Sequence, residues 1–374
     1  MAAISVQEDG GGDYTTLEAA VENASTVDGD VITITETWNA TTGAENTQIA
    51  VADALTIQAT GASKHVGRPW ASGETTFRHR NSSAGHSFTI TDTGSVTFIG
   101  LDIQNASTGV SDEVFRNNVS NTFLAQDCVL GFASRTDQQD LYYNEAVINA
   151  TFESCHFYNV YRGVVDAQAS DAGSVVNINS CTGYNIGYSS SNTSRSGLVG
   201  ISSSSASITV NVFNTIIHIN TGTAITTGDT GISTVNIHTT ITNQASLAND
   251  TLDIDTSNTV SATINDTDSS GNYILIDTTT SPYDLRLFDN ATNNAAQDFS
   301  TNATGTGLTG PPTIPSTDIV GTSRPQNTNY DIGAFEVAFA STTSVLTGTI
   351  TASVTEDDIT TGGKTLIITI TGDT

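Results

Sequence analysis

The chain has 374 residues, with 39 Asp and Glu against 11 Lys and Arg and a formal charge of −28. That balance excludes a nucleic-acid binder held by phosphate contacts, and no stretch approaches the roughly 20 apolar residues of a membrane-spanning helix. Thr (63), Ser (39) and Asn (30) dominate, a composition that favours short strands and turns over a helical bundle, while 37% hydrophobic residues in repeated Val/Ile/Thr runs argue against disorder.

Residues 1–29 form the entry. Met1-Ala2-Ala3-Ile4-Ser5 has neither a basic nor an apolar leader-like character, so no export signal is expected. After the turn-rich stretch from Glu8 to Asp13, Leu17, Ala20, Val21 and Ala24 fall at helical spacing. They predict a short amphipathic helix capping one end of a solenoid, where an open coil would expose core and strand edges. The segment GGDYTTLEAAV resembles the entry segment of the pectate-lyase-like β-helix superfamily, and the resemblance implies the fold of that superfamily.

Coils are predicted over 30–280. Weak ones begin at VITIT (31–35) and ALTIQ (54–58), and a period then becomes explicit: Leu101, Cys128, Cys155, Cys181, Thr215 and Thr240 recur in similar flanks at steps of 25 to 34 residues. Five residues upstream lie Val96, Phe123, Ala150, Val176, Val210 and Val235; three upstream lie Phe98, Ala125, Phe152, Ile178, Val212 and Ile237. Two downstream lie Ile103, Leu130, Phe157, Gly183, Ile217 and Thr242. Apolar columns alternating in steps of two mean strands with one face inward, stacked coil over coil, hence an all-β right-handed parallel β-helix. The cysteines are then expected as buried core residues, and Asn105, Asn159 and Asn185 as left-handed bends able to form a ladder. His79, His86, His156, His218 and His238 lack zinc-ligand spacing and are expected at the surface or in turns.

Two segments on these coils carry the chemistry a catalyst would need. Gln139-Asp140-Leu141-Tyr142 and Gly163-Val164-Val165-Asp166 resemble two motifs of the pectin methylesterases. The resemblance implies Asp166 as nucleophile, Asp140 as acid/base and Gln139 as oxyanion helper, two carboxylates perturbing each other's titration. The sequence departs from that family after Asp166, which is followed by Ala167-Gln168-Ala169-Ser170. The family's G-R-P-W also stands early, as Gly67-Arg68-Pro69-Trp70, several coils from the aspartates; Arg162 is the arginine near paired acids. Lysine, the base of eliminating lyases, occurs only at 64 and 364. No catalytic residue is therefore favoured. Thr-x-Thr pairs such as Thr33/Thr35 and Thr89/Thr91 suit an ice-binding ladder, but uneven coil lengths break the lattice. Further on, SATIN (261–265) reads as a late coil, and Asp266, Asp268, Ser270 and Asp277 fit the opening and close of a calcium loop as well as a β-turn.

Residues 281–337 contain Asp318-Ile319-Val320-Gly321-Thr322-Ser323-Arg324-Pro325 and Asp331-Ile332-Gly333-Ala334-Phe335-Glu336. They resemble the closing segment of many prokaryotic and phage β-helix proteins, with Arg324 expected to pair with an acid such as Asp331 and Phe335 to cover the last coil. Residues 338–374 alternate as a small β module that resembles one recurring in tail-fibre and virion surface proteins of tailed phages. Two or three strands bury no core alone, so either the chain is cut short at Thr374 or neighbouring chains complete the module, and the second case implies a homo-oligomer, most simply a trimer. The expectation is a structural surface protein of a tailed-phage virion, a capsid decoration or a spike or fibre, partnered by other virion proteins and by host surface polysaccharide. The alternative is an extracellular carbohydrate-active β-helix enzyme, a pectin-methylesterase-like esterase or a polysaccharide lyase.

Overall fold

In a computed structural model of the chain the apolar runs form strands. The structure describes residues 1–36, 38, 44–69, 71, 74–83, 85–107, 109, 112–133, 139–167, 173–187, 197–201, 208–220, 225–227, 234–243, 253–255, 260–261, 275–277, 284–287, 313–326 and 329–337. Among them, three parallel sheets of ten, nine and seven strands are built by strands that neighbour one another in space but not in sequence. The chain therefore visits all three sheets on each turn, which makes it a right-handed parallel β-helix. The chain divides into two compact units, Met1–Ala338 and Phe339–Thr374. The module expected over 338–374 lies outside the described residues, as do Asp266, Asp268 and Ser270 and the side chain of Asp277.

The predicted columns are the observed register. In the ten-stranded sheet Val96, Phe123, Ala150, Val176, Val210 and Val235 pair in succession, as do Phe98, Ala125, Phe152, Ile178, Val212 and Ile237. In the nine-stranded sheet Ile103, Leu130, Phe157, Gly183, Ile217 and Thr242 do the same. Between these sheets the coil turns on a single left-handed residue: Gly100, Asp127, Ser154, Ser180, Asn214 and Thr239 all have φ between 47° and 69°. That bend turns the following residue inward, so Cys128, Cys155 and Cys181 are fully buried free thiols, each donating to carbonyl oxygens of its own or the preceding coil. Burial pushes the Cys128 and Cys155 thiols well above the usual thiol range.

Several expectations change at the level of single residues. The N-terminal helix spans Leu17–Val21 with Thr16 as its N-cap, and it buries Leu17, Ala20 and Val21. Ala24 lies beyond it and is exposed, while Thr26 takes the buried place and donates to the Ala20 carbonyl. Asn159 and Asn185 are the left-handed ladder residues, with Asn185 donating to Asn159 at 2.6 Å. Asn105 instead donates into the adjoining loop, to the carbonyls of Glu113 and Gly85. His79, His156 and His238 are buried rather than superficial, because they stand on strands whose outer or inner face is covered. His79 is pushed down to about 3 by that burial.

The largest correction concerns the closing segment. Leu275–Asp277 and Asp284–Leu287 form an antiparallel pair, and Ile319, Ile332 and Ala334 join Leu275, Leu285 and Leu287 in an apolar cluster with Val129, Tyr158, Ile216 and Ile241. The last four residues project from strands of four different coils of the nine-stranded sheet. Residues 313–326 and 329–337 thus lie along the flank of the rod rather than over its last coil, and Phe335 packs into this flank. Ala334 N–H donates to Thr182 Oγ1 at 3.0 Å and Gly333 N–H to the Asn214 carbonyl at 2.9 Å. Arg324 Nε stands 3.8 Å from Glu336 Oε2, with the charges of Asp318 and Asp331 also acting on it. Burial, with Asp331 second, raises Glu336 to about 7.

Gly131 gives a sharp test of this packing. A Cβ there would run into the Tyr158 carbonyl oxygen and stand 2.7 Å from its ring, whose hydroxyl accepts from Gln104 Nε2 at 3.2 Å. Gly131→Ala is expected to cost roughly 1–3 kcal/mol by overpacking, read as a lowered denaturation midpoint; an unchanged midpoint would show that the flank can shift freely.

Candidate functional site

The turn that leads from the nine-stranded into the seven-stranded sheet gathers ionisable side chains from four coils. Tyr142 pairs with Phe115 and with Val165, so counting back along each strand sets Glu113 beside Asp140 and Gln139 beside Arg162. The backbone agrees: Leu141 N–H donates to the Gly163 carbonyl and Arg162 N–H to the Gln139 carbonyl. Stacking alone thus brings together residues 22 to 53 positions apart.

Arg162 is the hub. Its Nε donates to Asp140 Oδ2 at 2.9 Å, and its Nη2 donates both to that oxygen and to Asp166 Oδ2, the latter at 3.0 Å. The other Asp140 oxygen accepts from Gly163 N–H at 3.0 Å. Glu113 lies close enough for its charge to act on both Asp140 and Arg162. It contacts His86 Nδ1 at 2.5 Å and stands 3.9 Å from Arg116. Arg116 lies over the Tyr143 ring and reaches Glu145, to which Tyr143 also donates.

Burial governs the electrostatics. Gln139, Asp140 and Asp166 are 0% exposed and Arg162 is 5% exposed. Desolvation, with the Asp166 charge second, raises the Asp140 carboxyl to about 8 against the opposing pull of Arg162. Burial lowers Arg162 less than the flanking carboxylates raise it, so the guanidinium stays charged. A carboxyl held near neutrality is a competent proton donor or acceptor in principle. Here, however, both of its oxygens are occupied and no part of it meets solvent.

The structure brings Asp140, Asp166 and Arg162 together and places Gln139 beside them with its amide on the Ser107 carbonyl at 3.2 Å. It does not bring Arg68, which pairs with Glu74 at 2.5 Å. The Gly67 of the same motif is a docking point instead: with φ +81° it lies against Val320 and Ile319 of the closing segment. Glu113 and Arg116 were not singled out from the sequence, and His86 was read there only as a surface or turn histidine. Their signal was the period itself, since Glu113 precedes the core residue Phe115 by the same two places as Asp140 precedes Tyr142. Among the described residues no three His, Cys, Asp or Glu side chains are arranged to hold a metal, and no helix is long and apolar enough to cross a membrane.

No protein-family model matches the chain, and no curated protein matches it. Among solved structures it is similar to the crystal structure of pectate lyase Pel9A, at 10% identity and a TM-score of 0.40, over 90% of this chain and 97% of that one.

Proposed function

We propose that the chain is a structural rod on the surface of a tailed-phage virion, as a capsid decoration or as part of a spike or fibre, and that its copies assemble and present it to host surface polysaccharide. One observation carries the choice of a structural over a catalytic role. Among the described residues the constellation of catalytic type, Asp140 and Asp166 on Arg162, is closed inside the coil with its acceptors already occupied. A polymer substrate has no approach to groups without exposed surface. The resemblance of the 338–374 segment to virion modules supports the phage setting. The test is cosedimentation: antibody raised against the chain should label purified particles of the phage that encodes it, and a particle fraction free of the chain would sink the proposal.

The second reading, a carbohydrate esterase or lyase, is favoured by the convergence of Asp140, Asp166 and Arg162 on neighbouring coils. It requires hydrolysis or cleavage of methyl-esterified pectin or host polysaccharide that disappears in Asp166→Asn. The structural role predicts no such activity in either protein.

A further inference from the structure

We propose that the closing segment is a pH-sensitive strap, seated on the nine-stranded sheet while one of its buried carboxyls keeps a proton and released towards solvent as that proton is lost. The segment is first folded on itself. Asp318 accepts from the backbone N–H groups of Val320, Thr322 and Glu336 at 2.6–3.0 Å. Glu336 accepts from those of Gln326 and Asp331 at 2.9 and 3.1 Å, and Asp331 from that of Val337 at 2.7 Å. Arg324 lies among these acids and donates from Nη2 to the Gly333 carbonyl at 2.8 Å.

Its polar hold on the rod is narrow. Gly333 and Ala334 donate to the Asn214 carbonyl and to Thr182 Oγ1, Asn214 Nδ2 donates to the Asp331 carbonyl, and Asn179 Nδ2 to the Thr313 carbonyl. Three of these four contacts fall within Asp331–Ala334, the stretch that Arg324 and Glu336 keep in shape.

The charges there do not balance. Asp318, Asp331 and Glu336 are 0%, 3% and 1% exposed, and the cation among them is Arg324, 7% exposed. From the rod, Asp127 faces Arg324, with Lys64 3.3 Å from its carboxylate and the charge of Glu153 close by. His156 stands in register beside Thr182. Arg286 lies between Leu285 and Leu287, which enter the apolar cluster, so it points to the other side of its strand. With every carboxyl ionised the segment would bury three negative charges against one positive, and uncompensated buried charge is strongly unfavourable. Keeping one proton halves that excess. Glu336 is the carboxyl placed to keep it: burial, with the Asp331 charge second, raises it to about 7 from an ordinary 4.5. It stands two residues beyond Ala334, so leaving the rod is also what gives it water.

A carboxyl raised in the seated state favours seating fully below its ordinary value, and the advantage is lost as pH rises through 7. Between pH 5 and pH 8 the ratio of seated to released strap should fall roughly 50-fold, most of it by pH 7. The strap stands independently of the virion proposal.

Amide hydrogen exchange of the full chain, corrected for the intrinsic effect of pH on exchange, tests it. Gly333 and Ala334 are expected to lose protection roughly 50-fold between pH 5 and pH 8, while Phe123 and Phe152, in the core of the ten-stranded sheet, lose far less. Glu336→Gln, which has the shape of the protonated acid, should hold the pH 5 protection at both values. Should that variant fail to fold, Asp331→Asn decides: without the neighbouring charge the loss should shrink and move to lower pH. Equal protection of Gly333 and Ala334 at the two pH values in the wild type overturns the proposal. So does a loss shared equally by Phe123 and Phe152, or one that survives unchanged in Glu336→Gln or Asp331→Asn.

Discussion

Arg162→Met destabilises the folded chain by roughly 3–5 kcal/mol, because removing one partner of a buried pair leaves the other charges uncompensated. Methionine keeps the length and apolar stem of the arginine, so the loss reports the charge and its hydrogen bonds rather than a cavity. The carboxylates left behind are Asp140 and Asp166, both without exposed surface. The pH dependence has a definite sign. The Asp140 carboxyl is raised in the folded chain to about 8 from an ordinary 3.8, so its protonated form is the one folding favours. Its contribution is full below the unfolded value and is lost as pH rises towards 8. Without Arg162 the upward push is stronger, so the variant should fall furthest below the wild type near pH 9, where the wild-type carboxyl ionises against Arg162 and the variant's still holds its proton, with a smaller gap near pH 6. Urea midpoints at both values measure this. Equal midpoints for wild type and variant at pH 9 would show that the network contributes nothing.

Asp166→Asn sharpens the comparison. It removes the second largest cause of the Asp140 shift while Arg162 keeps its bidentate hold. A structural network therefore predicts stability equal to or above the wild type, whereas an enzyme would lose its activity through the same change.

The period was legible because it is written in the core. A column that must stay apolar in every coil leaves a trace at Val96, Phe123, Ala150 and Val176 that no surface requirement erases, and the observed pairing follows it residue for residue. The meeting of Asp140, Asp166 and Arg162 was legible for the same reason, since stacking turns sequence spacing into contact. Exposure was not legible. Whether a turn opens to solvent depends on what packs over it, and spacing within one coil says nothing of that. The closing segment shows the limit most clearly: Asn214 Nδ2 donates to the Asp331 carbonyl across 117 residues, and a backbone acceptor leaves no side-chain pattern. Two of the buried histidines, His156 and His238, fail for the related reason that an outward position on a strand ceases to be a surface once another segment lies on it, whereas His79 stands in the inward column of Ile103 and rests against Phe88.

Phe123→Ala is the second change with a large expected effect, about 3–5 kcal/mol for a buried phenylalanine truncated to alanine. Phe123 is fully buried, and its ring centroid lies 5.8 Å from Phe98, 5.0 Å from Phe115, 4.7 Å from Tyr142 and 5.5 Å from Phe152. It therefore bridges three successive coils, those of Phe98, of Phe123 and of Phe152. A globular core would spread such a loss over many neighbours. In a solenoid each coil touches only the next, so coupling between the two halves passes through this stack. The lesion should then lower the midpoint and also the denaturant slope, as the part before residue 123 and the part after it begin to unfold separately. Leu124→Ala, one residue on but pointing outward, is the matched control and should change stability by less than about 1 kcal/mol. A lowered midpoint with an unchanged slope would show that the rod still unfolds as one cooperative body, and equal midpoints for the two variants would contradict the inward and outward assignment from which every column in the fold is built.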